Sequence, residues 1–183
     1  MDVLNHGLWG SLIMYPKYHS DKKKILAGFL FGILPDVLVF APIFAFTLFG
    51  GLRFSPALFA DLENASWVFR YAWEGYNYTH SLVVCVAVIL ILLAVRRGQI
   101  YWPILAWPLH IFMDIPTHPN FFHTPILFPI SDYEFTHGVH WSNPILFTIN
   151  YALLTTIFLY FRKKYNKKSE HRVDDNAALE DKV

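Results

Sequence analysis

His110, Asp114 and His118 stand four residues apart in "LHIFMDIPTH", a segment otherwise built of apolar and aromatic side chains. Imidazole and carboxylate bind divalent cations through nitrogen and oxygen, and positions i and i+4 of a helix share a face. His110 and Asp114 can therefore reach one ion. Zn²⁺ suits these donors first, with Mn²⁺ or Fe²⁺ as alternatives, because no thiolate is at hand: Cys85 is the only cysteine and lies in an aliphatic run. Pro116 ends the helical pattern before His118, so that residue is expected to approach from a loop or to support the site from behind.

Three more ionisable residues lie in apolar surroundings: His6 in "NHGLWG", Asp36 in "GILPDV" and His80 in "YTHSL". A charge in such a setting must be paired or coordinated. Each has a plainer use as well. Asp36 could cap a helix broken or kinked at Pro35, and His80 could sit at the start of a helix capped by Thr79. Asn150 reads as an interhelical hydrogen-bond donor rather than a ligand. His123, His137, His140, Asp132 and Glu134 fall in a polar loop, and His19 and His171 flank basic runs.

The elements that must position these groups are membrane helices. Of 183 residues, 55% are hydrophobic and 16% charged, an apolar share above the soluble range and a charged share below it. The net charge of +1 argues against a nucleic-acid binder, which normally shows a basic stripe. The start lacks the basic region that opens a signal peptide. The expected fold class is all-α, a multi-pass transmembrane bundle with four main spans, Ile25–Leu52, Ser81–Val95, Ile100–Ile115 and Pro144–Phe161. A short N-terminal helical segment, Val3–Tyr15, precedes them. Ser142 or Asn143 caps the last span, with Pro144 in its first turn. The loop "WVFRYAWEGYNY" is suited to the membrane–water interface. Residues 1–165 form the membrane domain, and 166–183 are expected as an unstructured polar tail.

Basic residues orient the bundle. Lys17 and Lys22 to Lys24 precede the first span, Arg96 and Arg97 follow the second, and Arg162, Lys163, Lys164, Lys167 and Lys168 follow the fourth. Four crossings place all of these on one side, which is cytoplasmic by the positive-inside rule. Counting helical residues from these markers gives depths of about 16 Å for His6, 18 Å for Asp36, 20 Å for His110 and 24 Å for His80. Four separate segments thus deliver their ionisable groups to one layer, in the outer half of a core about 30 Å thick.

Taken together, "NHGLWG", "GILPDV", "YTHSL", "LHIFMDIPTH" and "TPILFPISD…GVHW" resemble the membrane-bound, predicted metal-dependent hydrolase family (YdjM-like), over the chain from its start to about Tyr151. The resemblance implies a small multi-pass inner-membrane protein whose metal ligands match His6, Asp36, His80, His110 and Asp114. A fainter similarity is to zinc-dependent phospholipase C and related zinc nucleases, which also use an HxxxD pair. The chain departs from the family in lacking an arginine shortly before the THS motif. The expected function is a metal-dependent hydrolase opening to the extracytoplasmic face. Metal-activated water would attack a phosphoester or acyl bond of a small or lipid-like substrate among the membrane lipids. His118 would be a further or supporting ligand. Glu134 or His140 would be the general base if the outer loop folds back over the site. The alternative is a divalent-metal transporter or metal-sensing protein using the same residues.

Overall fold

The computed structural model describes residues 1–49, 67–119 and 123–180, with side chains up to residue 166 apart from that of residue 46. The elements are α1 (Val3–Tyr18), α2 (Lys22–Phe49), α3 (Trp67–Thr79), α4 (Leu82–Val95), a short 3-10 turn (Trp102–Leu105), α5 (Ala106–Asp114) and α6 (Pro144–Glu180). Among the described residues there is no strand, as the all-α expectation requires. The end of the first expected span, residues 50–52, lies outside the described residues.

Two helices are long and apolar enough to cross a membrane: α2, and α6 over Pro144–Asn166. The α3–α4 pair qualifies as a third if its 64° bend is taken as one broken span. Length and composition thus give two or three spans where the sequence predicts four. The difference lies in the stretch from Ile100, which Pro103 and Pro108 divide into the 3-10 turn and nine-residue α5. At about 1.5 Å per residue, α5 covers less than half of a bilayer core. The aromatic "loop" from Trp67 is α3, which buries Val68, Phe69, Ala72 and Tyr76 against Val39 and Ile43 of α2. The polar tail lies partly in the continuation of α6 to Glu180; residues 181–183 lie outside the described residues.

Pro35 and Pro42 both lie inside α2, which runs on through them, so the expected break at Pro35 is absent. A proline removes one backbone bond, but packing of α2 against α1, α3 and α5 holds the helix together. α1 begins at Asp2, whose carboxylate accepts from the Asn5 amide at 3.0 Å. α6 begins as expected: Asn143 Oδ1 accepts from the amides of Ile145 and Leu146 at 3.0 and 3.2 Å, with Pro144 next.

Apolar side chains line much of the surface, and a cluster of polar ones is buried beside the apolar core. Leu30, Leu38, Leu48, Leu90, Ile91 and Leu153 are exposed, while Asn5, His6, Asp36, His80, His110 and Asp114 are buried. So much exposed aliphatic surface suits lipid rather than water. The cations gather at one end. Lys17 lies over the Trp102 ring at 3.8 Å, and Lys24 and Arg96 lie over Tyr101 at 4.5 and 5.4 Å. His19 stacks on Tyr165 of α6 at 4.5 Å.

α1 and α2 pack closely because glycines meet at their crossing. A side chain at Gly10 would run into the Gly28 carbonyl, and one at Gly32 into the His6 carbonyl. Gly28 and Gly32 form the small-xxx-small spacing that lets membrane helices touch backbone to backbone.

Candidate metal centre

Each site residue is delivered by a different local device. His6 sits in the second turn of α1, pressed onto α2 by the contact with Gly32. Asp36 projects from the middle of α2, turned inward although its helix is unbroken. His80 occupies the joint between α3 and α4. Its own amide closes α3 by donating to the Tyr76 carbonyl at 2.9 Å. Ser81, not Thr79, caps α4: its Oγ accepts from the Val84 amide at 3.2 Å and donates to the Phe128 carbonyl. The Leu82 amide donates to the Ile126 carbonyl at 3.0 Å, so the loop between α5 and α6 clamps the bend that aims His80.

His110 and Asp114 lie one turn apart on α5, and both are buried. α5 ends at Asp114, but the Asp114 carbonyl accepts from the amides of Thr117 and His118 at 3.0 and 3.1 Å. That added turn keeps His118 on the Asp114 face despite Pro116. Its Nδ1 comes to 3.2 Å from Asp114 Oδ1, closer than the proline suggests from sequence.

Asp36, His80, His110 and Asp114 form one group, with a donor atom from each within 4.8 Å of the others. His80 Nε2 lies 3.0 Å from His110 Nε2, 3.4 Å from Asp36 Oδ1 and 3.5 Å from Asp114 Oδ2. His110 Nε2 lies 3.2 Å from Asp114 Oδ2 and 3.7 Å from Asp36 Oδ1. Two donors held about 2.0–2.2 Å from one tetrahedral ion stand about 3.3–3.6 Å apart. The observed spacings cluster around that range.

The protonation chemistry also fits a cation. His110 Nδ1 is 2.7 Å from the Gly32 carbonyl, which can only accept, so Nδ1 carries the proton and neutral His110 presents a lone pair at Nε2. His80 Nδ1 contacts Thr79 Oγ1 at 2.9 Å, and the His80 ring stacks on Tyr76 at 3.7 Å. Asp36 Oδ2 and Asp114 Oδ2 are buried without a hydrogen-bond partner. Two buried carboxylates facing two imidazoles need positive charge among them, supplied by bound protons or by a metal ion. The donor set is one that Zn²⁺, Mn²⁺ and Fe²⁺ accept.

His6 lies beside this group rather than in it. Its ring stacks on His110 at 3.7 Å, and its Nε2 is 3.0 Å from Asp114 Oδ1. The Met1 nitrogen contacts the same oxygen and donates to Thr117 Oγ1 at 3.1 Å.

The loop between α5 and α6 does return to the end of α5, through amides of Val139 and Trp141 that donate to the carbonyls of Pro116 and Thr117, both at 3.0 Å. His140 therefore sits near His118. Its Nδ1 contacts Ser142 Oγ at 2.7 Å. Partial burial, then the charges of His118 and the Met1 nitrogen, hold its pKa below the usual histidine value, which favours the neutral base. Glu134 is exposed and pairs with His123 Nδ1 at 3.1 Å, so its partner is another loop residue and not a member of the group. Asn150 does bond between helices, but as an acceptor: Trp9 Nε1 donates to its Oδ1 at 2.9 Å.

Sequence reasoning passed over Gly32, Tyr76 and the supporting role of Thr79. The Gly28-xxx-Gly32 spacing was the available signal for the first; nothing local marks the other two. No family model, curated protein or solved structure matches the chain.

Proposed function

We propose that this chain is a multi-pass membrane hydrolase whose Asp36, His80, His110 and Asp114 hold a divalent metal, Zn²⁺ first among the candidates. The observation that carries this is the convergence of four buried donors from three parts of the chain at ligand-like spacing. Resemblance of the five motifs to the membrane-bound hydrolase family supports the same reading. A bound cation there supplies a Lewis acid and a water acidic enough to attack near neutral pH. Gly32 and Thr79 fix the two imidazoles, and His140, neutral and close to His118, is the candidate proton acceptor. Five- or six-coordination by nitrogen and oxygen donors leaves room for substrate beside four protein ligands.

The substrate class is a lipid-type phosphoester or acyl compound. A cavity of about 520 Å³ opens beside Met1 and Thr117, lined mainly by apolar side chains including Leu109, Phe112, Met113 and Leu146. It is suited to a hydrocarbon tail, and two residues of its wall, Met1 and Thr117, touch Asp114. The cation-rich end of the bundle faces the cytoplasm, α5 and its loop complete a fourth crossing, and the site opens toward the extracytoplasmic side of an inner membrane. One observation favours a second reading, a transit or sensing site: four protein donors already satisfy a tetrahedral ion.

Metal analysis of the purified protein tests the first step. Wild type should retain stoichiometric metal, and His110→Ala with Asp114→Ala should lose it; a metal-free wild type ends the metal reading. A metal-dependent hydrolysis screen over phospholipids and soluble phosphoesters tests the second. Metal flux into vesicles with no turnover of any substrate would replace the hydrolase with the transporter.

A further inference from the structure

The two oxygens of Asp114 face different partners. Oδ2 points into the four-donor group, 3.2 Å from His110 Nε2. Oδ1 meets a separate set of nitrogens: His6 Nε2 at 3.0 Å, His118 Nδ1 at 3.2 Å and the Met1 nitrogen. Neither histidine is needed to complete the first group, and they come from separate elements, α1 and the turn after α5.

His6 is the second observation. Its side chain is 0% exposed, yet neither ring nitrogen makes a hydrogen bond. A neutral imidazole buried with both nitrogens unsatisfied is costly, and a packing residue at this place would be better filled by an apolar ring. Its Nε2 approaches Oδ1 outside hydrogen-bond geometry, as a donor aimed at a shared third atom would. The 3.0 and 3.2 Å separations are shorter than the tetrahedral spacing and suit the narrower ligand angles of a five- or six-coordinate cation with bonds of about 2.0–2.2 Å. The Met1 nitrogen at the same oxygen is the group such a cation would displace or share.

We infer that Asp114 bridges two divalent cations, the second held by Oδ1, His6 Nε2 and His118 Nδ1. This rests on the metal reading of the first group and extends it from one ion to two. Paired ions bridged by a carboxylate can clamp the attacking and leaving oxygens of an in-line displacement, which favours a phosphoester over an acyl substrate. The shared carboxylate also explains why one aspartate collects five nitrogen neighbours, His6, His80, His110, His118 and Met1, while Asp36 faces only the first group.

The experiment is metal counting with Mn²⁺ and Zn²⁺ on the full-length protein in detergent. Wild type should bind two equivalents, and its Mn²⁺ form should show the spin-coupled resonance of neighbouring ions. His6→Gln with His118→Gln should bind one equivalent and show only isolated Mn²⁺. The wild-type resonance keeps the test decisive if the double variant fails to fold. One equivalent in wild type, with no coupled signal, overturns the second site and leaves the first standing, with the Met1 nitrogen as the neutralising partner of Oδ1. Two equivalents in the folded double variant also overturn it. No metal in wild type overturns both readings.

Discussion

Asp114 and the groups behind the imidazoles set the chemistry at the scale of single residues. Thr79 Oγ1 and the Gly32 carbonyl hold the far nitrogens of His80 and His110, at 2.9 and 2.7 Å. Partners of this kind orient a ligand ring, and removing one costs about 10–100-fold in metal affinity. Thr79→Val, nearly the same shape, should weaken metal binding by about that factor in a chelator competition. Unchanged affinity would mean that the Thr79 contact does nothing for the site. The carboxylates behave differently. Asp36→Asn removes a charged donor from the first group and none from the set around Asp114 Oδ1, so its Mn²⁺ form should lose the coupled resonance and keep the ion at Oδ1.

Elements act by bringing backbones close. The α1–α2 crossing depends on Gly10 and Gly28, where an added side chain meets the opposing carbonyl. Gly10→Val overpacks this contact at a cost of about 1–3 kcal/mol, read as a lower unfolding midpoint in detergent. Because His6 rides on α1 and the other donors do not, the same variant should lose the second metal equivalent before the first. A control separates stability from the site: Asn143→Ala strips the α6 cap, costing about 1 kcal/mol, and should leave metal content unchanged. Simultaneous loss of metal there would tie α6 to the centre, which the contacts do not predict.

Across the whole molecule, a buried polar cluster and an apolar core are wrapped in exposed aliphatic side chains, with Lys17, Lys24 and Arg96 gathered around Tyr101 and Trp102. Sidedness can be read with single cysteines in a Cys85→Ala background. Lys17→Cys and Arg96→Cys should react with a membrane-impermeant reagent only from the cytoplasmic face, and Tyr133→Cys only from the other. Labelling of all three from one face would remove the four-crossing topology. The metal should also hold the bundle together, since binding only to the folded state stabilises by about 2.7 kcal/mol at a hundred times the dissociation constant. Chelation should therefore lower the midpoint, and add-back should restore it.

Composition and the runs of apolar residues were enough to predict helices, two of them long and apolar enough to cross a membrane. Counting along the chain from the basic markers predicts one depth for His6, Asp36, His80, His110 and Asp114, and the fold brings the last four together with His6 beside them. The Asn143–Pro144 start of α6 was legible for a similar reason: a cap involves neighbours three residues apart. Depth says nothing about azimuth. Which donors meet, at which nitrogen and on which oxygen of Asp114, was decided by the glycine crossing of α1 on α2 and by the loop that clamps the bend at His80. Those contacts join residues far apart in the chain. Prolines misled for the opposite reason. Pro35 and Pro116 carry a strong local signal, but packing around α2 and the turn after Asp114 override it, so α2 stays whole and His118 stays on the face that Asp114 presents.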